Sequence, residues 1–386
     1  MTEFVAVARG AGPAYRRKRA RHDKVPAESD EIAGQNTVAL MFGGVHTDPH
    51  LENQVGALLL QTTYLGEPAQ IGVATVTTPP LLFFHRAQTA VNTSPRILFA
   101  SAAALTGNLA LICGGQVAAL DGGEVILDET REFDYRNMAY TSQGKMSEPR
   151  SQHAVAHVGA GIAIAFGGLD REYNTLDTCD LYYSSASGAG VGLWDTVPYH
   201  MYTPRAGHTA TVYQDPASPG HLLVFLCGGY INSDDDAELE FLHQCETFDP
   251  LTAQFRPRQN MHMPRVYHTA TLVPGNNILV IGGKAAPRAL AESCELYSPA
   301  QNTWVIFPPI PNPRYGHATA VLYDYNIDAP VIIVSGGQRL DRSPVPHISY
   351  LRLYPPNTRS LAWESQTHSR NDSPTAAFAA LVPFKV

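Results

Sequence analysis

Short apolar runs, each closed by a pair of glycines, recur along the chain. They are ALMFGG ending at Gly44, LALICGG at Gly115, IAIAFGG at Gly168, LLVFLCGG at Gly229, ILVIGG at Gly283 and VIIVSGG at Gly337. Brief apolar runs between turn-forming residues predict β-strands, and frequent glycine and proline between them predict a protein of many short strands. The first glycines of successive pairs are 71, 53, 61, 54 and 54 residues apart. That period is near the ~50 residues of one class of propeller repeat and longer than the ~40–45 of WD40 arrays.

A second pattern precedes each later pair: PRSQHAVAHV from Pro149, PRAGHTATVY from Pro204, PRVYHTATLV from Pro264 and PRYGHATAVL from Pro313, with PRILFASAAAL from Pro95 as a degenerate copy. A third follows it. CDLYY, CETFDP and CELYSP are each trailed by an aromatic residue, Trp194, Phe255 or Trp304, and LRLYPP is trailed by Trp363. Each unit therefore supplies four strands. A glycine pair at the end of the second strand permits a sharp exit that a side chain would block. The aromatic residues supply large areas that pack one unit on the next.

These strings resemble the kelch repeat: four apolar residues, a glycine pair, a Tyr, then a Trp about six residues on. CELYSPAQNTWVIFPPIPNPRYGHATAVL is a close match. The resemblance runs over residues 37–386, strongest from Pro149 to Trp363. It implies an all-β, six-bladed kelch-type β-propeller of four-stranded antiparallel blades. The first unit opens at its second strand, NTVALMFGG, whereas the chain ends in SPTAAFAALVPFKV. A C-terminal strand at about residues 375–384 is expected to complete the first blade and remove an open sheet edge. EFVAVA near the N-terminus is the competing candidate. The stretch Gly56–Pro95 departs from the repeat and reads as an enlarged blade with strands in ALLLQTTYL, IGVATVTT and LLFFHRA.

Charge divides the chain. Residues 1–36 hold seven Lys/Arg against five acids, with YRRKRARHDK at their centre; the remainder holds 20 against 30. The first segment reads as a disordered basic tail. A nuclear localisation signal, a polyanion contact and a merely solvated tail are its alternatives. An acidic propeller repels a phosphate backbone, which argues against nucleic acid as its partner. No apolar run reaches the length of a membrane span and no secretory leader is visible. A soluble, cytoplasmic or nuclear protein is the expectation. Five cysteines without a CxxC pair suggest small buried hydrophobes rather than disulfides or a metal site.

His153, His208, His268 and His317 recur once per unit and would sit a blade apart, too far for the ~2 Å bonds of one zinc ion. Structural hydrogen bonding is the expectation, with no metal and no cofactor. The matched arginines Arg150, Arg205, Arg265 and Arg314, with Arg96 in the degenerate copy, precede the innermost strands. Antiparallel pairing brings the loop into the first strand and the loop out of the glycine pair to one face. That face is expected to collect these arginines with Tyr230, Asn232, Tyr267, Lys284, Tyr315 and Gln338 as a partner-binding surface. A ring of arginines suits carboxylates. The acids of YINSDDDAELE belong to the same face and do not have EF-hand spacing.

No phosphate loop, dinucleotide fingerprint or GxSxG elbow occurs. The leading expectation is a non-catalytic scaffold that binds a protein or peptide, an acidic segment above all. The alternative is a kelch-type enzyme acting on a sugar or another small anion, resembling galactose oxidase or the sialic acid epimerases.

Overall fold

The computed structural model describes residues 37–42, 56–61, 81–86, 101–105, 109–118, 123–134, 139–184, 192–232, 239–324, 329–353, 362–367 and 380–385. They form a β-propeller of four-stranded antiparallel blades. Five blades are built from strands taken in chain order. Blade I holds Ser101–Ala104, Leu109–Cys113, Glu129–Asp134 and Ala139–Lys145; blade II holds Ala154–Gly159, Ile162–Phe166, Cys179–Tyr183 and Leu193–Val197. Blade III holds Thr209–Gln214, Leu222–Cys227, Cys245–Asp249 and Gln254–Arg258; blade IV holds Thr269–Val273, Asn277–Ile281, Cys294–Ser298 and Thr303–Phe307. Blade V holds Tyr315–Asp324, Ala329–Gln338, His347–Arg352 and Trp363–Thr367.

A further four-stranded sheet sets Ala380–Lys385 beside Thr37–Phe42, followed by Gly56–Gln61 and Leu81–Arg86. Thr37–Phe42 and Ala380–Lys385 pair antiparallel from Thr37↔Lys385 to Phe42↔Ala380, and Ala380–Lys385 lies against the first strands of blades V and I. The basic tail, EFVAVA and IGVATVTT lie outside the described residues. No helix among the described residues is long and apolar enough to cross a membrane.

The first strands of the blades are neighbours and carry alanine at many positions, Ala102, Ala103, Ala154, Ala156, Ala210, Ala270 and Ala318 among them. Small side chains let strands crowd where the blades converge. Farther out the seams widen and large residues fill them. Between blades II and III, Ile164 and Phe166 meet Val224, Leu226 and Phe248; between III and IV, Phe225 stacks on Tyr297 at 4.3 Å beside Trp304. Two Tyr–Trp pairs of the repeat are cross-strand pairs, Tyr182↔Trp194 and Tyr297↔Trp304, whereas Trp363 of the last unit pairs with Leu351. The indole Nε1 of Trp304 donates to the Gln259 carbonyl at 2.8 Å, and that of Trp194 to Thr130 of blade I at 2.9 Å.

The glycine pairs have two separate jobs. A Cβ on the first glycine of blade III, Gly228, would stand 2.5 Å from the Arg265 carbonyl and 2.6 Å from the His268 ring, both of the next blade. A Cβ on the second, Gly229, would stand 2.6 Å from the Ala206 carbonyl and 2.9 Å from His208 Cβ in its own blade. Both have positive φ, 66° and 95°, where an L side chain is strained in any case.

Candidate functional site

The four matched arginines do not form a binding ring. Arg150, Arg205, Arg265 and Arg314 are at most 1% exposed, and the fold occupies their donors. In each, Nη1 donates to the carbonyl of the first glycine of its own blade: Gly167 at 2.9 Å, Gly228 at 2.9 Å, Gly282 at 3.0 Å and Gly336 at 3.2 Å. The rest of the guanidinium meets the second residue of the third-strand motif. Arg150 Nε reaches Asp180 at 3.3 Å, Arg205 Nη2 reaches Glu246 at 2.7 Å, and Arg265 Nη2 reaches Glu295 at 3.0 Å. In blade V the residue is Ser349, whose Oγ accepts from Arg314 at 3.0 Å. Without a carboxylate there, burial and then the charge of Arg339 bring Arg314 down to about 9.

The same arginines also join blades, because their backbone carbonyls accept from the second glycine of the preceding blade: Gly115 to Arg150, Gly168 to Arg205, Gly229 to Arg265 and Gly283 to Arg314, at 2.8–2.9 Å. A buried guanidinium with carbonyl and carboxylate partners is a structural staple. The expectation of an exposed arginine face is thereby corrected for these four; Arg96 lies outside the described residues.

The histidines sit one layer deeper, each against the preceding blade. His268 Nε2 lies 3.2 Å from Thr209 Oγ1 and 3.5 Å from Cys227 Sγ; His317 Nε2 lies 3.0 Å from Thr269 Oγ1; His153 Nε2 lies 3.3 Å from Cys113 Sγ. His208 Nε2 has no hydrogen-bond partner, and blade II has Ala154↔Phe166 at the position of the Thr209↔Cys227 pair. Burial, with Arg150 in one case and Arg314 in the other, pushes His153 and His317 down to about 3. His208 is likewise held well below the ordinary histidine range, first by burial and then by Arg205.

A different constellation occupies the end of the inner strands next to the glycine pairs. The residue before each histidine, Gln152, Gly207, Tyr267 or Gly316, has a φ of 54–63°. Their backbones form a hydrogen-bonded arc: Gly207 N–H donates to Gln152, Tyr267 to Gly207 and Gly316 to Tyr267, at 2.8–3.0 Å. Left-handed backbone at two non-glycine residues is unusual and marks sites where surroundings fix the conformation. Here the side chains show why. Tyr267 extends over Gly207, whose Cβ would stand 3.0 Å from the ring, and donates its hydroxyl to Gln152 Oε1 at 2.7 Å.

Tyr230, from the loop after the blade III glycines, donates to the same Gln152 Oε1 at 2.9 Å. Ring centroids of Tyr230, Tyr267 and Tyr315 are 6.2 and 6.3 Å apart in succession. Burial raises all three phenols, Tyr267 most strongly. The row ends in positive charge: Lys284 Nζ stands 5.4 Å from the Tyr315 ring centroid, and Tyr315 donates to Gln338 Oε1 at 3.2 Å. Burial and then Arg342 lower Lys284. Asn232 is exposed, its amide donating to the Tyr173 carbonyl at 3.0 Å. Glu124, Asp170, Glu172 and Glu240 are carried by the glycine-pair loops of blades I–III, so charge on this face changes sign between blade III and blades IV–V. Asp234, Asp235, Asp236 and Glu238 lie outside the described residues.

Sequence reasoning missed Gln152 and Arg342. The signal for Gln152 was present, since glycine fills its position in two of four copies and so marks a left-handed site. No group of three or more His, Cys, Asp or Glu placed to hold a metal occurs among the described residues.

No protein-family model matches the chain. Kelch-like protein 15 of Danio rerio is 25% identical over 250 residues, which is 60% of this chain and 38% of that relative. The Homo sapiens protein of the same name is 24% identical over the same shares. The chain thus spans 38% of the length of these curated relatives. A solved structure of YjhT superposes on 64% of this chain and 73% of its own, with a TM-score of 0.49 and 17% identity. Repeat strings that recur in register and four-stranded antiparallel blades joined through the glycine pairs make this chain a β-propeller, and its sequence is similar to that of kelch-like proteins.

Proposed function

We propose that this propeller is a non-catalytic scaffold that binds an acidic segment of a protein or peptide on the face carrying the glycine-pair loops. The observation that supports it is the row Tyr230, Tyr267, Tyr315 ending in Lys284, with Arg342 beside it. Tyr230 and Tyr315 are buried and Tyr267 half-buried, with their hydroxyls bonded within the fold, so it is the half-buried Lys284 and the exposed Arg342 at the end of the row that suit a carboxylate. The buried arginines have no direct part in this reading; they hold the loops that carry the row. It also takes residues 37–386 as one six-bladed ring, in which Ala380–Lys385 serves as the inner strand of the blade begun by Thr37–Phe42, and residues 1–36 as a separate segment. Both propositions draw support from the Thr37↔Lys385 pairing.

Phage display of random peptides on the folded protein tests the reading. Enriched sequences carry Asp or Glu, and Lys284→Glu with Arg342→Glu abolishes the enrichment. Enrichment that survives this double change, or that favours no acidic residue, overturns it.

A further inference from the structure

Blade III differs from the other described blades at one pair of positions. The residue before the first glycine is the cross-strand partner of a residue at the start of the third strand: Cys113↔Thr130 in blade I, Phe166↔Cys179 in blade II, Cys227↔Cys245 in blade III. Register carries Ile281 opposite Cys294 in blade IV and Ser335 opposite Ile348 in blade V. Two facing cysteines occur in blade III alone among the described blades. Direct partners on antiparallel strands project from one face with Cα atoms about 4.5–5.5 Å apart, within the span of about 4.4–6.8 Å that a disulfide bridges. Both residues are free thiols, Cys227 at 0% exposure and Cys245 at 4%.

The surroundings set the two apart. Cys227 Sγ has Thr209 Oγ1 at 3.2 Å and His268 Nε2 at 3.5 Å, an imidazole placed to take the thiol proton. Burial alone would raise the Cys227 thiol, yet the neighbouring Cys245 and the contacts with His268 and Thr209 bring it well below the ordinary range, while the Cys245 thiol donates to the His243 carbonyl at 3.4 Å. Burial and the Cys227 neighbour push Cys245 well above it. One sulfur is suited to attack and the other to resolve. Cys113 provides the internal contrast: it has His153 at 3.3 Å but Thr130 opposite, and burial pushes its thiol up.

We propose that Cys227 and Cys245 are a peroxide-responsive dithiol that closes into a cross-strand disulfide inside blade III. The Cys227 thiolate attacks one oxygen of hydrogen peroxide; the S–O bond forms, the O–O bond breaks, and the departing hydroxide takes the proton held on His268 and leaves as water. Cys245 sulfur then attacks the sulfenic sulfur, the S–S bond forms, and a second water leaves with the Cys245 proton. Two electrons pass from the thiols to the peroxide. Burial selects the oxidant, because a molecule the size of water reaches a sealed seam that glutathione disulfide cannot enter.

The test treats the folded full-length chain with hydrogen peroxide or glutathione disulfide, alkylates the remaining thiols in denaturant and maps the peptides by mass spectrometry. Peroxide is expected to yield a monomer lighter by two hydrogens, with the Cys227 and Cys245 peptides linked, Cys179 and Cys294 alkylated, and the link lost on dithiothreitol treatment. In Cys245→Ser, dimedone labels Cys227, and His268→Gln slows the linkage of the otherwise unchanged chain. Full alkylation of both cysteines after peroxide exposure that leaves the circular dichroism spectrum intact overturns the proposal. Equal linkage by glutathione disulfide overturns the assignment of peroxide. Should the variants fail to fold, the map of the unsubstituted chain decides alone.

Discussion

A residue repeated at one position has one energetic role wherever its partners repeat too, and the exceptions expose what that role is. Arg205 is sealed with Glu246 at 2.7 Å. Removing one member of such a pair leaves the other charged and buried, so Arg205→Ala is expected to lower stability by about 3–5 kcal/mol, measured by urea unfolding. Blade V has the converse. Arg314 meets only the hydroxyl of Ser349 where the other described copies have a carboxylate. Ser349→Asp supplies one, as Asp180 does in blade II, and should add about 1–2 kcal/mol; an unchanged or lower urea midpoint contradicts that account. His208 is the analogous exception among the histidines. Its Nε2 has no hydrogen-bond partner, so His208→Leu should be neutral or stabilising, whereas His317→Leu forfeits the bond to Thr269 and should cost about 1–2 kcal/mol.

At the level of the strand and its exit, the repeat itself carried most of the information. Periodic apolar runs with glycine pairs located the second strands of all five blades, and the PRxxH strings located the first strands of four. The roles of the arginines were less legible. Linear order tells that Arg205 and Glu246 recur in step; only the antiparallel return of the third strand puts them in contact, and burial follows from that contact. Chemistry pointed to carboxylates correctly, but the carboxylates belong to the blade and not to a partner. The tyrosine row was half legible, since its aromatic members recur near the glycine pairs while Gln152, which ties two of them together, looks unremarkable in SQH. The glycines permit a direct measurement. Gly228→Ala meets both a backbone carbonyl at 2.5 Å and a positive φ, while Gly220→Ala, at φ 92° with nothing within 4 Å, meets the conformational penalty alone. Gly220→Ala is expected to cost about 1 kcal/mol, and Gly228→Ala several-fold more. Equal melting temperatures for the two would remove the steric role assigned to the pair.

The molecule as a whole carries a layer of buried imidazoles, and this sets its response to acid. His153 and His317 have folded values of about 3 against 6.5 in the unfolded chain, and His208 is lowered in the same sense. Between those limits the unfolded state binds the additional protons, so stability is full above about pH 6.5 and declines as pH falls towards 3. Each such histidine contributes up to about 1.4 kcal/mol per pH unit. Thermal unfolding at pH 5 should therefore occur well below that at pH 7, and His317→Gln should flatten the profile; a pH-independent midpoint contradicts the buried, neutral state. Closure is tested at the same scale: a chain ending at residue 378 lacks the strand paired with Thr37–Phe42, and it should unfold at lower urea and aggregate through the exposed edge. Finally, the arc of backbone bonds from Gln152 through Gly207 and Tyr267 to Gly316 has a kinetic meaning. A mouth whose main chain is already tied cannot gape or close around a visitor. Encounter with a ligand there should proceed without a preceding isomerisation, so variants of the tyrosine row should differ in residence time far more than in association rate.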